Sequence, residues 1–564
     1  MTIHYLSASG DNHATKERFF QHFIENPPSI IALDVETISL KERAPIGFGV
    51  AVSADEGWYF PTYPEPCKEI ELVLPLLRNP NVKKLYHNAP FDVRAFPLIA
   101  DIDSTNIADT NVMARLMGNQ ITKLSSLYWI HNRHTTPVAE IIKAYQYTGS
   151  TGTTLDVPEV EMAKHCMQDV MCTYSLYEKL MPQIISSGLE HYLDVEMQAL
   201  PIIIDMSLRG LKVDQIARQK FEDELKSEVD FYLDYCKNQM PSHLRFNPGS
   251  PQQVAFVLTE RGNFLPFTKY NKNKKSDKKS LCTDKDTLKA LRDPVASVVL
   301  NFRKSKKLLS TYVLPMKDED RAYTEYNLDA VVGRISSSNI NLQNIPPLMR
   351  VMYLPDNGVF TTGDYSQEHL RILCYLSGDK QMEDVYYHGA FGGDLHEKTA
   401  HDIGVSRQTA KTINYAIPYG ATAGTIDQKA EMHDIRKAQE FLDGWFRSFP
   451  HAAEWLRSAQ EYGLGHGWSL PTLFGRSIKL PDEGNYRSAK EAQARKAVNY
   501  PILGSDGEVM KRGIIAANEA RLTLSATVHD SLTLDGMEDF PMDKMENITP
   551  FRLPFAVKRT LTWE

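Results

Sequence analysis

RQTAKTINYAIPYG, residues 407–420, spaces Arg407, Lys411, Tyr415 and Tyr419 by four. On an α-helix each four-residue step drifts by only ~40°, so the four side chains predict one slanted stripe on one face. Two cations followed by two aromatic rings suit a ligand with a polyphosphate at one end and a flat ring at the other. Guanidinium and ammonium groups neutralise phosphate, and phenol rings offer a stacking surface. A basic amphipathic helix with two half-buried tyrosines fits the same spacing, so neighbouring motifs must decide.

The chain has 564 residues, room for several domains, with 42% hydrophobic and 24% charged residues. That is ordinary globular composition. A formal net charge of −8 argues against bulk nucleic-acid binding, yet binding depends on where the charge sits. Basic clusters do occur, at Lys269, Lys272, Lys274, Lys275, Lys278 and Lys279, and at Arg303, Lys304, Lys306 and Lys307. Solvated surface loops explain most such runs, and the first cluster reads equally as a phosphate contact. Six cysteines without zinc-site spacing exclude a disulfide scaffold and point to a reducing compartment. No signal-peptide core opens the chain, and runs such as Leu200–Ile204 are far too short for a membrane span. The expectation is a cytoplasmic, monomeric protein without a membrane partner.

The first ~185 residues alternate strand and helix signals, as multidomain α/β chains do. Strands are predicted at 30–35, 47–53, 58–62 and 84–87, and helices near Phe91, at 107–117 and at 160–180. Residues 190–320 read as mostly helical, with a polar insert over 267–280. Two short strands, 358–364 and 526–534, each carry an aspartate.

Asp34 and Glu36 end an apolar strand and share a face by period two. Asp92 follows the start of a helix, and Asp169 lies one helical turn after His165. Each acid alone reads as a cap or a surface carboxylate. Four converging acids repel unless they hold divalent metal. Two ions ~3.5–4 Å apart can activate water for phosphodiester hydrolysis, and His165 can position or deprotonate that water. Asp364 and Asp530, if strand-borne neighbours, can hold a second metal pair that activates a 3′-hydroxyl and neutralises departing pyrophosphate.

In this order DVET (34–37), HNAPFD (87–92) and HCMQD (165–169) resemble the DEDD-type 3′→5′ exonuclease family. DYSQEHLRIL (364–373), RQTAKTINYAIPYG and VHDS (528–531) are similar to motifs A, B and C of family A DNA polymerases, the bacterial DNA polymerase I type. VVGRISSSNINLQNIPP (331–347), FRKSKKLLSTY (302–312), GDLHEKTA (393–400) and ARKAVNYPILG (494–504) agree with further segments of that family.

The resemblance implies an RNase H-like exonuclease domain over 1–187, followed by a right hand of mixed α/β and α+β fold. Its thumb would span 188–330, its palm 331–379 and 491–564, and its fingers 380–490. It implies primer-template DNA and dNTPs as partners, with replisome or processivity factors as further candidates. It implies two Mg²⁺ at each site, replaceable by Mn²⁺. Asp364, Asp530 and the carbonyl of Tyr365 would hold one pair, and Asp34, Glu36, Asp92 and Asp169 the other. Arg407 and Lys411 would bind triphosphate, Tyr415 the sugar and base, and Tyr419 the template side of the nascent pair. Arg334, Gln343, Asn344, Arg495, Asn499 and His529 would hold primer and template. Too little chain precedes Asp34 for a 5′ nuclease, and the compact length suggests a bacteriophage enzyme.

Departures from the family pattern mark where this chain is its own. His165 stands where the proofreading branch has Tyr, whereas His-using relatives carry it one residue earlier. His369 replaces the glutamate that excludes a 2′-hydroxyl, with Glu368 one place before it. Leu503, Thr527, Ser531 and Ala416 replace other habitual residues. Sequence drift and an altered nucleotide repertoire both account for them. Minor-groove readers meet any extra purine 2-amino group, so losing one could admit a modified base. A phage-type single-subunit RNA polymerase shares the helix spacing and HDS, but not DYSQ, the LQNIP segment or a fused exonuclease. A non-catalytic DNA binder has no use for six clustered acids, because a DNA groove needs cations.

Overall fold

The computed structural model describes residues 2–5, 23, 25–39, 43–99, 102–132, 154–238, 246–267, 280–430, 432, 434–484 and 486–563. The Lys269–Lys279 cluster lies outside the described residues.

The first half is built on a six-stranded mixed sheet. Its strands are β1 (Thr2–Tyr5), β2 (Ile30–Thr37), β3 (Pro45–Ala51), β4 (Glu56–Pro61), β5 (Lys83–Tyr86) and β6 (Ile107–Asp109), in the order β1-β4-β3-β2-β5-β6. β3 is antiparallel to both of its neighbours, and β5 runs parallel to β2 and β6. The helix Glu159–Ser186 packs across β2, β3 and β4. Gly49 on β3 permits this approach, since a Cβ there would sit 2.9 Å from Cys166 Sγ.

The sequence predicts one helix over 107–117, but the backbone first makes β6 and only then the helix Thr110–Leu116. Asp109 ends the strand and caps the helix, its carboxylate accepting from Asn111 N at 2.8 Å. The apolar run therefore changes from sheet to helix at one polar residue.

The second half carries three small sheets. β7 (Leu211–Val213), β8 (Arg321–Ala322) and β11 (Tyr353–Leu354) form one, and β9 (Glu325–Asn327) pairs with β10 (Ser336–Ser338). The third is antiparallel, in the order β13-β14-β12-β15, from β12 (Phe360–Tyr365), β13 (Leu524–Val528), β14 (Ser531–Asp535) and β15 (Phe555–Thr560). A single strand is expected over 526–534. The structure instead makes the β13–β14 hairpin there, with His529 and Asp530 as its turn and His529 at φ 54°.

One buried apolar cluster joins the halves. Leu200, Ile203 and Ile204 of the helix Glu190–Arg209 share it with Val35 and Val93 of the first half and Val509 and Ile514 of the helix Arg487–Glu519. Lys511 of the long helix also ion-pairs with Glu196, both almost wholly buried. The first helix of the 188–330 segment thus belongs to this shared core. A separate cluster holds the helices between 368 and 466 together, around Trp445, Ile413 and Leu373.

Candidate active site

Two acid clusters form, one on each main sheet. In the first half, Asp34 and Glu36 project from β2, and Asp92 comes from the helix Ala89–Ala95. The Asp92 carboxylate accepts from Val35 N at 2.9 Å, which locks it to the strand residue between the other two acids. His165 Nε2 lies 3.9 Å from Glu36 Oε1, and its Nδ1 lies 3.7 Å from Asp169 Oδ2. All five predicted residues therefore meet.

Burial pushes Asp34 and Asp92 well above the usual carboxylate range, and neighbouring acids push further. Burial raises Glu36 and Asp169 as well, against the pull of His165. Burial opposes the charge on His165, but Glu36 and Asp169 outweigh it and raise its pKa. Crowded carboxylate oxygens that raise one another fit a hard divalent cation, whose charge would relieve the repulsion. Cys166, absent from the sequence reading, adds a buried thiol 3.7 Å from Asp34 Oδ2. A thiol next to His165 in the sequence was the only available signal for it.

In the second half, Asp364 sits near the end of β12, level with Ser531 at the start of β14. Tyr365 N donates to Asp530 O at 3.0 Å, which draws the hairpin turn against the strand end. Thr527 and Ser531 brace that turn: Thr527 Oγ1 bonds Ser531 O at 3.3 Å, and Ser531 Oγ bonds Val528 O at 2.9 Å. Burial first, then Asp530, raises Asp364 to about 7, with Lys558 opposing. Asp530 is raised chiefly by burial. The donor chemistry again fits a hard divalent cation. Tyr365 buries its ring against Phe555 at 4.7 Å, so only its backbone can face the acids.

The charges of Asp530 and Asp364 reach Tyr415 of the helix Arg407–Ala416, which is started by Ser406, whose hydroxyl caps Thr409 N. Its buried face is anchored by Asn414, which accepts from Trp445 Nε1 at 2.8 Å and Thr399 Oγ1 at 3.1 Å. Arg407 and Lys411 are exposed, and Tyr415 and Tyr419 are half-buried. Burial pushes His396 down to about 4, and the nearby charges of Arg407 and Lys411 add to that. The Arg407 guanidinium pairs with Asp394 at 2.6 Å and Glu397 at 3.3 Å.

The predicted four-residue stripe is corrected in one respect. The α-helix ends at Ala416, and Tyr419 lies in the 3-10 turn Ile417–Tyr419 that follows. Pro418 and Gly420, the latter at φ 71°, end the regular helix. Tyr419 turns to His369, with its hydroxyl 2.6 Å from Nδ1.

Three of the six predicted strand-holding residues, Arg334, Gln343 and His529, line a cavity of about 250 Å³ together with Thr527 and Asp506; Asn344, Arg495 and Asn499 are not in its lining. Tyr312 donates to Asn344 O at 3.0 Å. Arg495 packs over Gly420, where a Cβ would meet its side chain at 2.8 Å. Asn499 Oδ1 is buried without a hydrogen bond among the described residues. Glu368, singled out in the sequence only as a departure, is buried with neither carboxyl oxygen bonded among the described residues. Asp506 escaped the sequence reading and is buried 2.5 Å from Arg334 Nε. Inside a helix rich in small residues, Asp506 gave no periodic signal.

Two acid clusters on two sheets mark a chain with two sites, and comparison with known proteins divides it the same way. The chain belongs to DNA polymerase family A: that family's model matches residues 217–552, and a 3'-5' exonuclease model matches residues 13–185. It is 28% identical over 558 residues to DNA polymerase I of Chloroflexus aurantiacus, covering 92% of this chain and 58% of that protein. It is 30% identical over 434 residues to the thermostable DNA polymerase I of Thermus filiformis, covering 71% of this chain and 51% of the relative. The chain therefore spans between half and three fifths of these relatives' lengths. Its fold is similar to that of the POL domain of Pol1 from M. smegmatis, solved in complex with DNA primer-template and dNTP. The TM-score is 0.77 at 22% identity, over 95% of this chain and 96% of that one.

Proposed function

We propose that this chain extends a primer 3′ end along a DNA template and removes misinserted ends with a 3′→5′ exonuclease in its first half. The carrying observation is that a hairpin turn and a strand end bring Asp530 to Asp364, and that both charges reach Tyr415 on the helix that exposes Arg407 and Lys411. Domains of both kinds work with divalent metal ions. Two Mg²⁺ at each site, replaceable by Mn²⁺, would lower the pKa of the attacking oxygen and neutralise the leaving one.

At the polymerase site, Asp364, Asp530 and the Tyr365 carbonyl would supply the metal ligands. Arg407, released from Asp394, and Lys411 hold the triphosphate. Tyr415 packs on sugar and base, and Tyr419 closes the template side. Arg334, Gln343, Asn344, Arg495, Asn499 and His529 hold the primer-template through phosphate and minor-groove contacts. At the exonuclease site, Asp34, Glu36, Asp92 and Asp169 would hold the metals, and His165 orients water. The right-hand assignment follows: helices of 188–330 as thumb, the β12–β15 sheet as palm, and helices of 380–490 as fingers.

Replication of a phage genome in the host cytoplasm is the setting this reading favours. Among the described residues no helix is long and apolar enough to cross a membrane. The test is primer extension with Mg²⁺, supplying each dNTP and each rNTP separately. Template-directed dNTP addition supports the reading. Addition of rNTPs alone would turn it toward an RNA polymerase, and no addition would overturn it.

A further inference from the structure

Asp506 is a carboxylate that the proposed mechanism does not use. It lies within the helix Arg487–Glu519, wholly buried behind the site. A buried charge survives only when paired. Here Oδ2 lies 2.5 Å from Arg334 Nε and Oδ1 lies 3.4 Å from His369 Nε2. Burial pushes its pKa up, but His369, Arg334 and His529 together bring it below the usual range. The Arg334 loop reaches the long helix because residue 507 is glycine, where a Cβ would stand 2.7 Å from Gly333 O.

His369 carries the chain onward. Its Nε2 lies in 3.4 Å charge contact with the Asp506 carboxylate, and its Nδ1 lies 2.6 Å from the Tyr419 hydroxyl. A carboxylate behind an imidazole fixes both tautomer and ring orientation in this way. One ring nitrogen is thus hydrogen-bonded to Tyr419, and the other sits beside the Asp506 carboxylate.

The site's geometry says what meets that ring. The triphosphate end is set by Arg407 and Lys411, the ring end by Tyr415 and Tyr419, and the reacting end by Asp364 and Asp530. A sugar bridging these ends would lie beside residue 369, which follows Asp364 by five positions at the start of the helix Glu368–Ser377 and reaches Tyr419. We propose that Asp506 is a positioning residue that holds His369 against Tyr419 as a rigid wall excluding a nucleotide 2′-hydroxyl. This rests on the nucleotide-transfer reading above. A ring held between Asp506 and Tyr419 fills the space that hydroxyl would need, so the chain discriminates sugars without a glutamate at position 369.

The test is single-nucleotide insertion with Mg²⁺, measuring kcat/KM for a dNTP and its matching rNTP. The proteins are wild type, Asp506→Asn, His369→Ala and the double variant. The wild type should strongly prefer the dNTP. Asp506→Asn should cut the preference about tenfold or more, and His369→Ala similarly. The double variant should lose no more than His369→Ala alone, because one residue acts through the other. If Asp506→Asn does not fold by circular dichroism, Tyr419→Phe breaks the same chain and should lower the preference likewise. An unchanged preference, additive losses, or a wild type indifferent to the sugar overturns the proposal. So does a loss on Glu368→Gln with none on Asp506→Asn, which gives the role to the neighbouring carboxyl. A wild type that inserts neither nucleotide refutes the polymerase reading itself.

Discussion

Replacing Glu508 with glutamine should stabilise the protein above neutral pH and do little in acid. Glu508 lies on the face of the helix Arg487–Glu519 that meets the helix Glu190–Arg209, 2% exposed. Neither of its carboxyl oxygens has a hydrogen-bond partner among the described residues. Burial raises its pKa from 4.5 to about 7, against Lys511, Arg476 and Arg512, and Glu196 adds to the rise. Between those two values the unfolded chain carries the charge and the folded chain carries the proton. Stability must therefore fall as pH rises through that window. A shift of this size amounts to about 3 kcal/mol, fully expressed above pH ~7 and absent below pH ~4.5. Glutamine removes the titration but keeps the shape. Urea unfolding of both proteins at several pH values gives the difference directly, and titrations shared by both cancel. The variant's advantage should grow by about 3 kcal/mol from acid to alkaline pH. A constant difference, or a variant less stable at high pH, would show that Glu508 is ionised in the fold and held by Lys511 and Arg476.

Three further outcomes follow from the sites. Asp34→Ala should abolish removal of a mismatched 3′ nucleotide and leave extension intact, as gel assays of labelled primers would show; loss of both activities contradicts two separate sites. Tyr415→Phe should sharply reduce dideoxynucleotide incorporation while dNTP insertion stays nearly intact, because the phenol hydroxyl replaces the contact of a missing 3′-hydroxyl; an unchanged ratio refutes that role. Primer-template affinity should fall steeply with salt as released counterions demand, and a flat salt profile in a fluorescence titration would contradict phosphate-held DNA.

How much of this was legible in the sequence depended on how local each cause was. Asp34, Glu36, His165 and Asp169 could be placed because strand and helix periods fix which side chains share a face. Arg407, Lys411 and Tyr415 were legible for the same reason. Tyr419 was not, because Pro418 and Gly420 end the regular turn and its final direction depends on His369, 50 residues earlier. The Ala526–Leu534 run looked like one strand, since its turn is made by His529 in a left-handed conformation rather than by glycine. The 107–117 run hid a strand because Asp109 serves both as strand end and helix cap. Asp506 gave no signal, and Cys166 gave only its place beside His165. Each owes its meaning to a contact more than 100 residues away in the chain, with Arg334 and Asp34 respectively.

The central claim is that Asp364 and Asp530, brought together by β12 and a hairpin turn, carry nucleotide transfer. Asp530→Ala tests it most directly, with primer extension and primer-template affinity measured on the same preparation. Extension should vanish while the dissociation constant stays within about twofold, since a metal-holding acid contributes charge chemistry and little DNA contact. Extension that persists at the wild-type rate would contradict the account.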